Sequence, residues 1–574
     1  MRLPRSRPRP PTVVFWTLVV ASWWPLLVAG SHRWLAFDDW TLLITRQRVL
    51  ESQGFLDFLL RPHNEHFLPG LMFWDLGLAS IFGIDSYFPW TVTVIAALVL
   101  TVWILRRLMV TIGMSPLAAA LAAPAPLLWS DFSGSLAWVP ETVFVLYLAL
   151  VLGHLTLVVA DRATSVRREV AGAGLSTAAV LFHTGAAAAV LPVVGILVLQ
   201  RRWRAAALSS IPLAIYGTWL LTWGQKGEVF GDLLRREGGD AVAGDLSKIE
   251  FAWTIGGQGF RFLAGDGAPF VWAALVVGGL ALAWRKRHEP AGAVLLALVA
   301  MSVIAVGAVT HTRSAVGSFV KTSPQSRYAV LAVLPLIPVA GLLLQTGVRW
   351  AAQRTRWPRT IAISSAAVLA WGFGAAVLVA AVGRPEDEGV TVTHSVRRTM
   401  AAIISTPGTR ASRPDLALMP EFFDLDVSGV WELHDWGWYD PAPSADTGRM
   451  LAMQAKFMIY GEPRRPGDGR ARIRPGSAIT RTQVADCWTL TPDDPTTENR
   501  TVVDPSDGPV VFAVTDGAEN ISIQARRDGL RSPWFALLAD PESDDVRVHP
   551  DPGVEIFLEL TGPVTVCDAD IGRA

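Results

Sequence analysis

Ten long apolar runs, separated by more polar stretches of very different length, fill the first two-thirds of the chain: residues 12–30, 88–105, 115–130, 136–160, 170–200, 205–223, 268–284, 291–310, 327–344 and 360–382. A hydrocarbon core of about 30 Å takes about 20 apolar residues in a helix, so each run reads as a membrane span. The run at 170–200 is long for one crossing and contains His183, Thr184 and Gly185. Read as two short helices broken there, it raises the expected number of crossings to eleven. The stretch 67–82 is short and carries Pro69, Gly70, Asp75 and Gly77. It fits an amphipathic helix lying in the interface better than a span. Beyond residue 383 the pattern changes to short alternating segments such as 510–514, 521–524 and 554–560, broken by Pro, Gly and Asp. That period predicts a mainly-β, sandwich-like fold, with a connecting helix over 392–404.

The fold class predicted is therefore an α-helical polytopic membrane protein of about eleven transmembrane helices, with surface helices in its first outer loop and a C-terminal mainly-β domain. The expected domains are 1–383 and 384–574. Charge sharpens this division. The 574 residues balance 50 Lys/Arg against 50 Asp/Glu, but residues 384–574 hold 19 basic and 31 acidic groups, leaving 31 basic and 19 acidic for the first part. An apolar body with basic loops precedes a polar, acidic domain. No bulk basic charge points to nucleic acid.

Arg2, Arg5, Arg7 and Arg9 precede the first run, which places the N-terminus in the cytoplasm by the positive-inside rule. With 67–82 in the interface and 170–200 broken, the basic clusters at 106–107, 167–168, 201–204, 285–287 and 354–359 all fall on the cytoplasmic side. An odd number of crossings then puts the C-terminal domain outside. Many of the 24 tryptophans flank the apolar runs, as in an interfacial aromatic belt. The two cysteines, Cys487 and Cys567, both lie in the polar domain. Outside the cytoplasm they are expected to form a disulfide; two separate buried thiols are the alternative.

Long outer loops at 31–87, 224–267 and 311–326 locate the chemistry on the outer face. The first holds Asp38-Asp39 and, about twenty residues on, His63-Asn64-Glu65-His66. Adjacent carboxylates at a membrane surface are costly to desolvate unless used. One can act as a general base toward an acceptor hydroxyl, the other as an orienting group or metal ligand; capping a surface helix is the plain alternative. The histidine cluster lacks the i, i+4 pair of a zincin helix and suits hydrogen bonding to a phosphate or sugar. Lys321 and Arg327 close the third loop. A guanidinium beside a lysine fits a phosphate, or a snorkelling anchor. Glu141 opens the span after Trp138 and Pro140. His154 and His183 stand within apolar runs with no charged partner in the sequence. The aromatic run Trp431–Tyr439 suits either sugar binding or packing. No phosphate-binding Gly-rich loop, Gly-x-Ser-x-Gly or Cys-x-x-Cys occurs, so an activated substrate has to bring its own energy.

In order along the chain, the basic N-terminus and first span, Asp38-Asp39, the segment His63-Asn-Glu-His66-Phe-Leu-Pro ending at Ile81-Phe-Gly83, the span closing on Arg106-Arg107, and Ser326-Arg327-Tyr328 followed by an apolar run to Pro335 resemble the GT-C glycosyltransferases that use polyprenyl-phosphate sugars. The style is that of bacterial members related to protein mannosyltransferases and lipid A aminoarabinose transferase. The resemblance covers about residues 1–382. Where mannosyltransferases carry His-Pro-Pro, this chain has His66-Phe67-Leu68-Pro69.

The resemblance implies Asp38 as catalytic base with Asp39 beside it. It implies Arg327 and Lys321 at the donor phosphate, and His63, Glu65, His66 and Glu141 in substrate contact. The implied reaction is transfer from a polyprenyl-phosphate sugar in the membrane lipid to a glycan, lipid or protein acceptor, on the outer face of the plasma membrane, with a divalent metal ion as an optional cofactor. The competing readings are a transporter or flippase for a lipid-linked glycan and a non-catalytic scaffold presenting a sugar-binding domain.

Overall fold

A computed structural model describes residues 10–31, 34–35, 38–63, 66–128, 139–160, 165–224, 248–313 and 326–354, together with the helix, strands and adjoining turns given below between 396 and 571. The chain divides into two compact units, Met1–Val390 and Thr391–Ala574.

The first unit is helical throughout its described length. Its elements are α1 (Pro10–Ser31), α2 (Asp38–Trp40) running into a π-helical turn (Thr41–Thr45), α3 (Arg46–Ser52), α4 (Phe55–Leu60), α5 (Pro69–Phe82), α6 (Phe88–Thr111), α7 (Pro116–Ala122), α8 (Val139–Val158), α9 (Val166–Phe182), α10 (Gly185–Leu199), α11 (Trp203–Thr222), α12 (Lys248–Gln258), α13 (Arg261–Ala264), α14 (Ala268–Arg285), α15 (Pro290–Arg313), α16 (Ser326–Val333) and α17 (Ile337–Arg354). Among the described residues, five helical stretches are long and apolar enough to cross a membrane: Phe88–Thr111, Trp203–Thr222, Gly265–Arg285, Pro290–Thr310 and Tyr328–Trp350. Shorter apolar helices include Pro10–Ser22, Thr142–Val158 and Gly185–Leu199. The expected span at 360–382 lies outside the described residues, so the described helices give a multi-span body rather than a tally of eleven.

Helix α5 has 14 residues and rises about 21 Å, too little for a 30 Å core. Pro69 starts it, where a missing N–H costs nothing. The run at 170–200 is divided between α9 and α10, with His183 in extended conformation at the break.

Close helix contacts follow from small residues. The positions that a Cβ would need at Gly172 lie 2.5 Å from the His154 ring and 2.6 Å from Val158, so α9 meets α8 backbone to side chain. His154 is fully buried and ties three helices: Nδ1 pairs with Ser176 Oγ at 2.6 Å and Nε2 with Ser209 Oγ at 3.0 Å. A histidine without a charged partner in sequence thus finds two hydroxyls, from α9 and α11. Between the same two helices, α9 and α11, buried Glu169 accepts from Arg204 Nε at 2.8 Å, and Arg202, which precedes α11, is 3.7 Å away.

In the second unit the described segments of 396–405 are mostly helical. Helix α18 (Val427–Asp435) is capped by Asp426, whose carboxylate accepts from Gly429 N–H at 2.6 Å. Within the aromatic run, Trp431, Trp438 and Tyr439 are buried, and Tyr439 donates its hydroxyl to Arg397 O at 3.0 Å. Those three side chains pack; they do not line an open sugar platform.

The strands are β1 (Gly469–Arg474), β2 (Ile479–Val484), β3 (Cys487–Pro492), β4 (Arg500–Val503), β5 (Val510–Asp516), β6 (Ile521–Arg527), β7 (Leu530–Arg531), β8 (Phe535–Ala536), β9 (Val546–Val548), β10 (Glu555–Leu560), β11 (Val564–Cys567) and β12 (Ala569–Ile571). They join in one hydrogen-bonded path, β2-β3-β11-β5-β1-β4-β10-β6-β7, with β12 on β1, β8 on β6 and β9 on β5. Most pairs are antiparallel; β1 pairs parallel with β5 and β12. Cys487 and Cys567 face each other in the β3–β11 register and form a disulfide.

Candidate functional site

The segment between α1 and α6 folds back on itself. Asp38 and Asp39 begin α2, and the helix continues through the π turn, whose Leu42, Leu43 and Ile44 are buried. Gly54, at φ 92°, makes the sharp turn into α4 that a side chain would strain. The end of α4 is fixed by Trp219 of α11, which donates to Leu60 O at 2.7 Å. His63 and His66 then close a small turn with reciprocal backbone bonds of 3.0 and 2.8 Å, and α5 follows. At the start of α5, a Cβ on Gly70 would sit 3.1 Å from Leu181 O, so this helix is drawn tightly onto the end of α9.

Two clusters result. In the first, Asp39 and Asp75 are each about 1% exposed. Trp90 Nε1 donates to Asp75 Oδ1 at 3.0 Å, and Asp75 Oδ2 is buried with no hydrogen-bond partner among the described residues. Burial holds the Asp75 carboxyl well above the ordinary carboxylate range; the negative charge of Asp39 raises it further, and the Trp90 bond opposes both. Trp90 stacks on Tyr87, with centroids 5.8 Å apart and planes 9° apart. The Tyr87 hydroxyl accepts from Val139 N–H at 3.3 Å, two residues before Glu141. The acidic pair is therefore linked, side chain by side chain, to the start of α8.

The second cluster gathers around the α9–α10 break. His66 Nδ1 pairs with Thr184 Oγ1 at 2.9 Å, and its ring lies 4.6 Å from that of His183. His183 also meets Phe144 at 4.5 Å and stacks on Tyr147 at 5.4 Å. Its Nδ1 accepts from Gly185 N–H at 2.9 Å, which leaves the ring proton of the neutral form on Nε2. Phe144 touches Tyr328 edge-on at 6.2 Å, one residue after Arg327. Thus the histidine turn of the first loop, the start of α8 and the start of α16 converge, although they are far apart in sequence.

Of the residues singled out from sequence, Asp39, His63 and His66 lie in this region with side chains described. Asp38, Glu141 and Arg327 stand at or near the starts of α2, α8 and α16; their side chains lie outside what is described. Glu65 and Lys321 lie outside the described residues altogether. Among the described residues, no group of three or more His, Cys, Asp or Glu side chains is placed to hold a metal ion. Nothing in the sequence marks a role for Tyr147 or the buried Arg46; it shows Thr184 only as part of a helix break, Trp90 only as one of the tryptophans flanking the apolar runs, and Asp75 only as a carboxylate in an apolar stretch. A carboxylate inside an apolar 14-residue helix was the one available signal among these.

No protein-family model matches the chain, and no curated protein matches it in sequence. Two of the solved structures that the chain matches are the following. One is ArnT from Cupriavidus metallidurans in the apo state, at 16% identity and a TM-score of 0.44, covering 72% of this chain and 83% of that one. The other is the arabinosyltransferase EmbB from Mycobacterium smegmatis, at 12% identity and a TM-score of 0.34, covering 99% of this chain and 65% of that one.

Proposed function

We propose that this chain is a membrane glycosyltransferase that moves a sugar from a polyprenyl-phosphate donor to an acceptor at the outer face of the plasma membrane. The observation that supports the reading is the pair of clusters just described: one joins buried Asp39 and Asp75 through Trp90 and Tyr87 to the start of α8, and the other joins the His63–His66 turn through His183 and Phe144 to Tyr328, next to Arg327. Asp38 serves as general base. Its carboxylate takes the proton of an acceptor hydroxyl or amine as that atom attacks the anomeric carbon. The bond from that carbon to the phosphate oxygen breaks, and the polyprenyl phosphate leaves with the electron pair. Arg327 and Lys321 balance its charge. A single displacement inverts the anomeric centre. Asp39 orients the acceptor, and His63, Glu65, His66 and Glu141 contact the sugar and phosphate. The N-terminus lies in the cytoplasm. The domain boundary falls near residue 383, and the β-rich domain is extracytoplasmic, where its disulfide persists.

Transfer from radiolabelled polyprenyl-phosphate sugars, in membranes matched for expression, tests this. Native protein is expected to form product, and Asp38→Asn to lower the rate by about 10²–10⁴-fold, the usual worth of a general base. Equal rates would remove Asp38 from the mechanism. Absence of transfer from every donor by a folded protein would overturn the enzyme reading.

A further inference from the structure

A glycine-rich turn closes α12 and carries a single polar side chain, Gln258, between Gly256, Gly257 and Gly259. A Cβ on Gly256 would lie 2.7 Å from the Trp272 ring, and one on Gly257 would lie 2.5 Å from Pro269 N, both on α14. A Cβ on Gly259 would overlap Val333 and lie 3.3 Å from Ala329, both on α16. None of the three positions has room for a side chain, so the backbone of the turn is pressed onto two helices. Gln258 itself is 5% exposed. Its Oε1 is enclosed and makes no hydrogen bond among the described residues. A buried amide oxygen without a donor forfeits its hydration for nothing, and leucine or methionine would fill the same space without that cost. The polar groups beside it are treated differently. Trp272 Nε1 donates to Ser302 Oγ at 3.0 Å, and that hydroxyl donates to Ala332 O at 2.6 Å, so α14, α15 and α16 are tied by a satisfied relay.

We infer that Gln258 binds a hydroxyl of the transferred sugar. Its amide oxygen needs a hydrogen-bond donor. At neutral pH a phosphate diester and a polyprenyl chain offer none, so within a polyprenyl-phosphate sugar the sugar alone supplies one. The position of the turn agrees. Helix α16, which opens at Ser326-Arg327, is met by the glycine turn at Ala329 and Val333. It is met at Tyr328 by Phe144, whose ring lies 4.5 Å from that of His183, and His183 lies 4.6 Å from His66. The glycine turn and the histidine cluster thus pack on the same short helix. An acceptor fixed between helices also discriminates, because a sugar lacking the matching hydroxyl leaves it unpaired. The inference deepens the transferase reading, on which it rests for the identity of the ligand. A hydroxyl of the acceptor shares this chemistry, and the experiment separates the two.

The test is binding, independent of turnover. The full-length protein, in a polyoxyethylene detergent that carries no sugar, is heated with increasing farnesyl phosphate, farnesylphosphoryl mannose, farnesylphosphoryl arabinose or the monodeoxy forms of the two conjugates, and the unfolding midpoint is followed. At least one sugar conjugate is expected to half-saturate native protein at a lower concentration than farnesyl phosphate. In Gln258→Met, which keeps the length and removes the amide, farnesyl phosphate is expected to bind as it does to native. That conjugate is expected to weaken about 5–100-fold, the worth of a buried hydroxyl left without its partner. One monodeoxy form is expected to show the same loss on native protein and no further loss on the variant. The ligand-free midpoint is expected to stay level or rise. The inference fails if no conjugate binds native protein more tightly than farnesyl phosphate, or if Gln258→Met binds the conjugate like native. It fails equally if farnesyl phosphate weakens by the same factor, or if the variant loses ligand-free stability, which would reveal a partner within the chain. A variant that binds the conjugates normally but transfers with a raised KM for the acceptor assigns the amide to the acceptor and overturns the inference. A protein that holds a sugar conjugate through Gln258 yet transfers nothing refutes the transferase reading and leaves this site standing.

Discussion

At the scale of single residues, Asp75 is the side chain whose state decides the character of the acidic pair. It is buried, it lies in the field of Asp39, and its one described hydrogen bond comes from Trp90. All but the last favour the protonated form, so the folded protein holds this proton more tightly than the unfolded chain, where an aspartate titrates near 3.9. The stabilisation this brings is complete below that value and is lost as pH rises through the elevated folded value. Asp75→Asn fixes the neutral form at every pH. Its unfolding midpoint is expected to match native at about pH 3.5 and to exceed native increasingly toward neutrality. A variant less stable than native at neutral pH would mean that Asp75 is ionised and partnered in the fold.

At the scale of elements, what the sequence disclosed depended on whether the signal was local. The apolar runs, the break at 183–185 and the short helix of 69–82 are written in consecutive residues, so periodicity and breakers exposed them. The pairing of His66 with Thr184, 118 positions apart, is not. Nor is the burial of Arg46, since residue type alone argues for an exposed arginine. Small residues are equally ambiguous until their neighbours are known. On α9, Gly172 has no room for a Cβ, whereas Gly174, two positions along, has nothing within 4 Å of where its Cβ would lie. Gly172→Ala is therefore expected to push α8 and α9 apart and cost about 1–3 kcal/mol by overpacking. Gly174→Ala is expected to be neutral or to stabilise by up to about 1 kcal/mol through helix propensity. Thermal unfolding of the two variants in one detergent measures the difference; equal effects would show that the α8–α9 contact is not close-packed.

At the scale of the whole molecule, the chain joins two units with different means of stability. The first rests on close helix packing with polar ties such as His154 between two serines. The second adds a covalent bond between β3 and β11, closing a loop with a sequence separation of 80. Two cysteines confined to the acidic part of the sequence anticipated the bond. The order of the strands was not readable, because alternation identifies strands without naming their partners. Loop entropy for a closure of this length amounts to about 4–5 kcal/mol, of which real bridges commonly deliver roughly 2–4. Each unit has its own buried core, so the effect of the bond belongs to the second. Cys487→Ser with Cys567→Ser, or reduction of the native protein, is therefore expected to lower the unfolding transition carried by β-sheet signal. The transition carried by helical signal is expected to hold its midpoint. Circular dichroism melts with and without reductant separate the two. A joint shift of both transitions would mean that the units unfold as one cooperative body, and the bond would then stabilise the membrane part as well.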